Sequence, residues 1–154
     1  MYCRDIDTPW GILSLTEVEG ALSQVRWERT GRFDQTELLQ KAEVQLAAYA
    51  AGTLDAFDLA LHVPDGLQGA VCTAMRAIPM GETRTYGDIA RDVGASAQAV
   101  GQACGRNPLP ILIPCHRVMG ASGLTGFSAP GGVEMKVTLL RHEGASTAMG
   151  GFLI

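Results

Sequence analysis

Residues 85–105, TYGDIARDVGASAQAVGQACG, decide the fold. Thr85 is suited to cap a helix running to Val93, because its hydroxyl can accept from a backbone N–H that the first turn leaves unpaired. Ile89, Ala90 and Val93 recur at helical spacing and mark the inward face. Gly94 and Ala95 turn the chain, Ser96 offers a second cap, and residues 97–105 continue as another helix. Two short helices about a glycine-containing turn predict a helix-turn-helix. The second helix is nearly all small, with Ala97, Ala99, Gly101, Ala103 and Gly105. That composition fits either close helix packing or a helix slim enough to approach a nucleic-acid backbone.

Upstream, Leu67, Val71, Ala74, Met75 and Ile78 recur every three or four residues, and Pro79 ends that helix. Pro64, Asp65 and Gly66 form a turn and the expected boundary between two domains, 1–64 and 65–154. In the first domain, residues 11–16 and 21–27 alternate in polarity about a turn at Gly20, which predicts a β-hairpin with Ile12, Leu15, Leu22, Val25 and Trp27 as its apolar positions. Residues 35–51 carry Leu38, Leu39, Ala42, Leu46 and Tyr49 at helical spacing, with Gly52 as the stop. Residues 57–63 suit one more strand. Downstream, Ile111–Leu112–Ile113 reads as a buried strand ended by Pro114. Residues 120–132 hold five glycines and read as a loop, without the strand-before, helix-after setting of a dinucleotide loop. Residues 133–143 predict a last helix with Val133, Val137 and Leu140 on one face.

Apolar residues are 47% of the 154 and charged residues 18%, enough to build a core and to exclude a disordered chain. No apolar run approaches the roughly 18 residues of a membrane span. The opening residues lack the basic-then-apolar pattern of a secretion signal. A soluble cytoplasmic monomer with no membrane partner is expected. The net charge of −4 argues weakly against nucleic acid, yet it is uneven: residues 1–65 hold 5 basic and 11 acidic side chains, residues 66–154 hold 7 and 5. A polyanion could therefore dock on the second part. Cys3, Cys72, Cys104 and Cys115 form no CxxC pair and no zinc ligand set, so free thiols and no metal are expected. Cys72 and Cys104 fall in apolar helical stretches and read as buried hydrophobes.

Cys115 stands apart because His116 follows it. Only a thiolate is a strong nucleophile, so a working cysteine needs a base or a positive field nearby. Neighbours on a regular strand point to opposite faces. Pro114 interrupts the strand, and an irregular turn there could bring thiol and imidazole together, directly or through water. Glu143 is a candidate to orient the imidazole.

The stretch 107–118, NPLPILIPCHRV, closely resembles the signature of the O6-alkylguanine-DNA alkyltransferases, the methylated-DNA–protein-cysteine methyltransferases. Residues 81–90, GETRTYGDIA, resemble that family's first helix of its helix-turn-helix, and Ala99-Val100-Gly101 its recognition helix. Gly126-Phe127-Ser128 resembles the active-site loop and residues 139–144, LLRHEG, the closing helix. The resemblance implies an α+β fold: a small ribonuclease-H-like α/β N-terminal domain, then a mostly helical, winged-helix-like C-terminal domain with the helix-turn-helix. It implies binding to the minor groove of double-stranded DNA carrying O6-alkylguanine, with O4-alkylthymine a second candidate lesion, and extrusion of the damaged base.

By the same resemblance, Cys115 takes the alkyl group irreversibly, one lesion per molecule and without a cofactor. His116, through water and with Glu143 behind it, deprotonates the thiol. Tyr86 donates to the base at N3, Asn107 braces the turn, the carbonyls of Cys115 and Val118 accept from the exocyclic amine, and the loop with Phe127 and Ser128 contacts O6. Gln98, Ala99, Gly101, Arg106 and Arg117 are the expected DNA contacts, with Arg84 a further phosphate candidate. Gln98 stands where the family usually has an arginine, and Cys72 where many relatives have tryptophan. An alkyltransferase-like protein that flips and flags lesions without repairing them is the alternative. Such proteins replace the reactive cysteine, which is present here.

Overall fold

The computed structural model describes residues 1–120 and 132–145. They fall into two compact units, Met1–Val63 and a second beginning at Pro64. The first is an antiparallel sheet of β1 (Tyr2–Thr8), β2 (Gly11–Val18) and β3 (Ala21–Arg26), in that order, with helix α1 (Glu37–Ala50). Leu13 and Leu15, two residues apart, share the buried face of β2, and Ile12 is only half-buried. On β3, Leu22 and Val25 are both buried although three residues apart. The register explains it: Gln24 pairs with Thr16 and Leu22 with Glu17, so Ser23 is an unpaired bulge that resets the alternation. Leu39, Ala42, Leu46 and Tyr49 form the buried stripe of α1, which Thr36 caps by accepting from Leu39 N at 3.1 Å.

Residues 57–63 do not form the expected strand. Leu61 makes one parallel bridge to Leu22. The Asp58 backbone is claimed instead by a side chain of α1: Asp58 N donates to Gln45 Oε1 (2.8 Å) and Gln45 Nε2 donates to the Asp58 carbonyl (3.0 Å). A glutamine thus occupies the groups that a longer ladder would have used.

The second unit runs α2 (Gly66–Arg76), β4 (Arg84–Thr85), α3 (Tyr86–Val93), α4 (Ala97–Gly105), a 3-10 turn (Cys115–Arg117), β5 (Val118–Met119) and α5 (Val133–His142). With the first unit it makes the chain α+β. Helices α3 and α4 are the expected helix-turn-helix. Thr85 and Asp88 form a reciprocal capping box, Gly94 closes α3 at φ +72°, and Ser96 accepts from Ala99 N. Gln68 Nε2 donates to the Ala103 carbonyl at 2.8 Å and ties α2 to α4.

Residues 111–113 are buried but are not a strand. Pro108 and Pro110 remove two ladder donors. Ile113 N instead donates back to the Leu109 carbonyl at 2.8 Å, and Ile111 is driven to φ +72°. A β-branched residue in the left-handed region is strained by about 1–3 kcal/mol, so the surrounding contacts must hold it there. Among the described residues, no helix is long and apolar enough to cross a membrane.

Candidate active site

The site is assembled by a pairing the sequence gives no hint of. Strands β4 and β5 run parallel, Arg84 beside Val118 and Thr85 beside Met119. This two-residue ladder fixes the start of α3, where Tyr86 sits half-buried, beside the segment that begins at Cys115.

Pro114 shapes that segment. At φ −80° and ψ 69° it is the centre of an inverse γ-turn, closed by Cys115 N donating to the Ile113 carbonyl at 2.8 Å. Asn107 braces the same carbonyl: Nδ2 donates to it at 2.8 Å, and Oδ1 accepts from Leu109 N at 3.0 Å. Cys115–Arg117 then coil into a single 3-10 turn, which breaks the two-residue alternation that would have kept thiol and imidazole on opposite faces.

His116 is fully buried, and its Nε2 lies 2.7 Å from Glu143 Oε2. Burial alone would raise the Glu143 carboxyl, but hydrogen bonds from His116 and Arg117, with the charge of Arg117, carry it down to about 2. Glu143 is therefore an acceptor only, which places the hydrogen of His116 on Nε2. Burial pushes the His116 pKa down against the pull of Glu143, so the imidazole is neutral and its buried Nδ1 carries the basic lone pair. Burial also pushes the Cys115 thiol up to about 11, against a hydrogen bond from Asn107 and the charge of Lys136. The resting sulfur is protonated. It must lose its proton as it reacts, which is the task expected of His116.

Arg117 corrects another expectation. It was expected at the DNA, yet it is 6% exposed and each of its three guanidinium nitrogens donates within the protein. Nε donates to Glu143 Oε1 (2.8 Å), Nη2 to Glu143 Oε2 (2.9 Å) and Nη1 to the Ile78 carbonyl (2.7 Å). A guanidinium held in a buried bidentate pair of this kind is not presented to a phosphate at the surface. Arg84 is paired at the surface instead, with Asp92 at 2.6 Å.

The remaining DNA candidates lie on or next to α4. Gln98 and Arg106 are exposed, Ala99 and Gly101 half-buried. Val100, Ala103 and Cys104 are the buried residues of that helix. A Cβ built on Gly101 or Gly105 would meet nothing within 4 Å among the described residues, so close packing does not account for those two glycines. Phe127 and Ser128, with the rest of the glycine-rich loop from 121 to 131, lie outside the described residues.

Sequence reasoning passed over Lys136. The buried face of α5 is Lys136, Leu139 and Leu140, rotated from the predicted stripe of Val133, Val137 and Leu140. Lys136 is 1% exposed, and its Nζ donates to the Val118 carbonyl at 2.6 Å. A charged residue four positions before Leu140 and seven before Glu143 was the available signal. All four cysteines are free, and among the described residues no three His, Cys, Asp or Glu side chains cluster as a metal site.

A helix-turn-helix packed beside a proline-gated cysteine, with a histidine and a buried carboxylate behind it, defines a DNA-binding protein with a nucleophilic thiol. Residues 66–145 match the family described as 6-O-methylguanine DNA methyltransferase, DNA binding domain. The chain is 42% identical over 161 residues to the methylated-DNA–protein-cysteine methyltransferase of Mycolicibacterium paratuberculosis, covering 95% of this chain and 96% of that one. It is 39% identical over 158 residues to the Methanosarcina acetivorans protein of the same name, covering 94% and 99%. Among solved structures, Mycobacterium tuberculosis O6-methylguanine methyltransferase superposes with a TM-score of 0.82 at 42% identity, over 94% and 93% of the two chains. The same organism's OGT in complex with DNA gives 0.83 at 41%, over 94% of each. The chain belongs to the methylated-DNA–protein-cysteine methyltransferase family, whose activity is the repair of O6-methylguanine in DNA.

Proposed function

We propose that Cys115 is the acceptor, and that the chain repairs O6-alkylguanine in duplex DNA by moving the alkyl group onto its own sulfur. The observation that carries this reading is the 2.7 Å contact from His116 to the Glu143 carboxylate, made by the residue next to the cysteine. As the S–C bond forms, the C–O6 bond breaks and its electron pair stays with the base. The thiol proton passes through a water to His116 Nδ1, and Tyr86 supplies a proton to the base at N3 so that guanine leaves neutral. Proton exchange with solvent resets Tyr86 and His116. The net reaction converts thiol and alkylguanine into thioether and guanine, and it balances without cofactor or metal. A thioether has no ready route back to a thiol, so each molecule acts once.

The rest of the site follows the same reading. Asn107 holds the turn, the carbonyls of Cys115 and Val118 accept from the exocyclic amine, and Ser128 and Phe127 close on the base. Gln98, Ala99 and Gly101 on α4 meet the minor groove, with Arg106 at its end. Outward-facing glycine that no internal contact requires supports a helix kept thin for a partner. We take residues 1–64 and 65–154 as the two domains of a cytoplasmic monomer, and O4-alkylthymine as a second substrate.

Intact mass after incubation with an O6-methylguanine duplex tests the assignment. A gain of about 14 Da on the Cys115 peptide is expected, and Cys115→Ser should lose transfer while keeping lesion binding. Binding without a mass gain would move the protein to lesion flagging, and transfer retained by Cys115→Ser would remove Cys115 as the acceptor.

A further inference from the structure

We propose that Arg91 is a phosphate-binding residue for the damaged strand, its guanidinium folded back over Gly87 to meet the backbone beside the extruded nucleotide. The proposal deepens the reading above and rests on it for the place of Tyr86 at the base.

Side chains on a helix lean towards its N-terminus, so a long one covers the turn before its own. Arg91 stands in the last turn of α3, four residues after Gly87. It reaches back until its Nη1 would lie 3.9 Å from a Cβ built on Gly87. With no side chain at Gly87, the guanidinium lies along the first turn, where Tyr86 opens the helix. A cation from one end of α3 is thereby delivered to the other, the end that borders the site.

Asp88 fixes it there. One carboxylate oxygen accepts from Thr85 N at 3.0 Å in the capping box, and the other accepts from Arg91 Nη2. Among the described residues, Nε and Nη1 of Arg91 form no hydrogen bond, which leaves donors in the planar arrangement that suits phosphate. An exposed pair of this spacing adds little to a helix, so stability does not account for the arrangement. The pair beside it has the opposite polarity. Between Arg84 and Asp92 the carboxylate is the outer member, 54% exposed against 35%. Between Arg91 and Asp88 the guanidinium is outer, 75% against 33%. A phosphate nearing α3 from solvent therefore meets an anion at Asp92 and a cation at Arg91.

A base turned out of the stack swings about its own backbone, so its phosphates stay close to the pocket it enters. With the base against Tyr86, the adjoining phosphates fall at the rim that Gly87 and Arg91 form. Phosphate contacts fix register and orientation on the duplex and take no part in the chemistry. Arg91 should therefore govern how tightly the lesion is held and leave the transfer step alone.

The test follows single-turnover methyl transfer from an O6-methylguanine duplex at increasing excess of protein. Half-saturation reads duplex affinity, and the plateau reads the chemical step. Arg91→Gln should raise the half-saturating concentration about tenfold, reduce the slope of log K against log salt by about 0.9 and keep the plateau. Arg91→Lys should restore part of the affinity. Duplexes with one methylphosphonate, an uncharged linkage, at successive positions of the damaged strand then locate the contact. At one position flanking the lesion, neutralisation should weaken wild type about tenfold and leave Arg91→Gln unchanged. An unmoved half-saturation in Arg91→Gln, or a lowered plateau alone, overturns the proposal. Losses that multiply at every position also overturn it, because Arg91 would then act only through its general charge. No mass gain on wild-type Cys115 sinks the acceptor instead, and duplex binding measured directly reads the same coupling at Arg91.

Discussion

Glu143 satisfies two donors at once, the guanidinium of Arg117 through both oxygens and the neutral imidazole of His116 through one. Removing its charge strands a buried guanidinium, so Glu143→Gln should cost about 3–5 kcal/mol in a denaturant melt and slow methyl transfer as well. The same network sets the acid stability. In the folded protein His116 titrates below its ordinary 6.5, and Glu143 near 2 against an ordinary 4.5. Both pKa values are lower than in the unfolded chain, so both contributions are complete above those ordinary values and are lost as pH falls. Denaturant midpoints should hold steady above about pH 7, decline first as the unfolded histidine protonates and then more steeply below about pH 4.5. Neutralising Glu143 should flatten the second decline. Gln98 makes the opposite kind of case, an exposed residue whose value lies outside the protein. Gln98→Arg adds a cation to α4, and it should tighten duplex binding and steepen the slope of log K against log salt by up to about 0.9 if the guanidinium meets a phosphate. Equal slopes for the two proteins would remove Gln98 from the interface.

Helices were legible and short pairings were not, for a physical reason. Apolar periodicity and caps are local, and α1, α3 and α4 lie close to where spacing, Thr85, Ser96 and Gly94 put them. Ladders depend on partners distant in sequence. Strand β1 carries Arg4, Asp5 and Asp7, which mask its alternation, and β4 with β5 is two residues long on each side. The apolar run 111–113 looked like a strand because composition records burial and not backbone. Its prolines and the Asn107 side chain had already committed the local hydrogen bonds. In the site, Cys115, His116 and Glu143 could be read from residue type and resemblance. Arg117 and Lys136 could not, because a basic residue reads as surface until its partners are seen. The small residues of α4 yield a prediction at the same scale. Gly101 has helical backbone and open space at its missing Cβ. Gly101→Ala should therefore raise stability by about 0.5–1 kcal/mol. Gly101→Leu should fold, yet lose about tenfold in duplex affinity, about 1.4 kcal/mol. A Leu variant that binds as wild type would return the small residues to a purely structural role.

The charge of the whole chain is a poor guide to its partner, and its core shows why the reaction happens once. A protein at net −4 engages a polyanion by confining contact to a less acidic part of the sequence, and the second unit supplies that part. The same unit builds its reactive centre inside its core. Cys115 is 6% exposed, next to a fully buried His116. Native interiors are packed so closely that a single added carbon is felt. Alkylation puts that carbon on the sulfur and removes the proton through which the thiol could donate. Overpacking by a methylene typically costs about 1–3 kcal/mol. In a chain of 154 residues each kcal/mol shifts Tm by about 2–4 °C, so the methylated protein should melt several degrees below the unreacted one. Calorimetry on a fully reacted sample, with the added mass verified on Cys115, reads this directly. Larger alkyl groups should lower Tm further in order of size. An alkylated protein as stable as the thiol form would show that the sulfur opens onto free space, and the tight packing inferred around it would have to be abandoned.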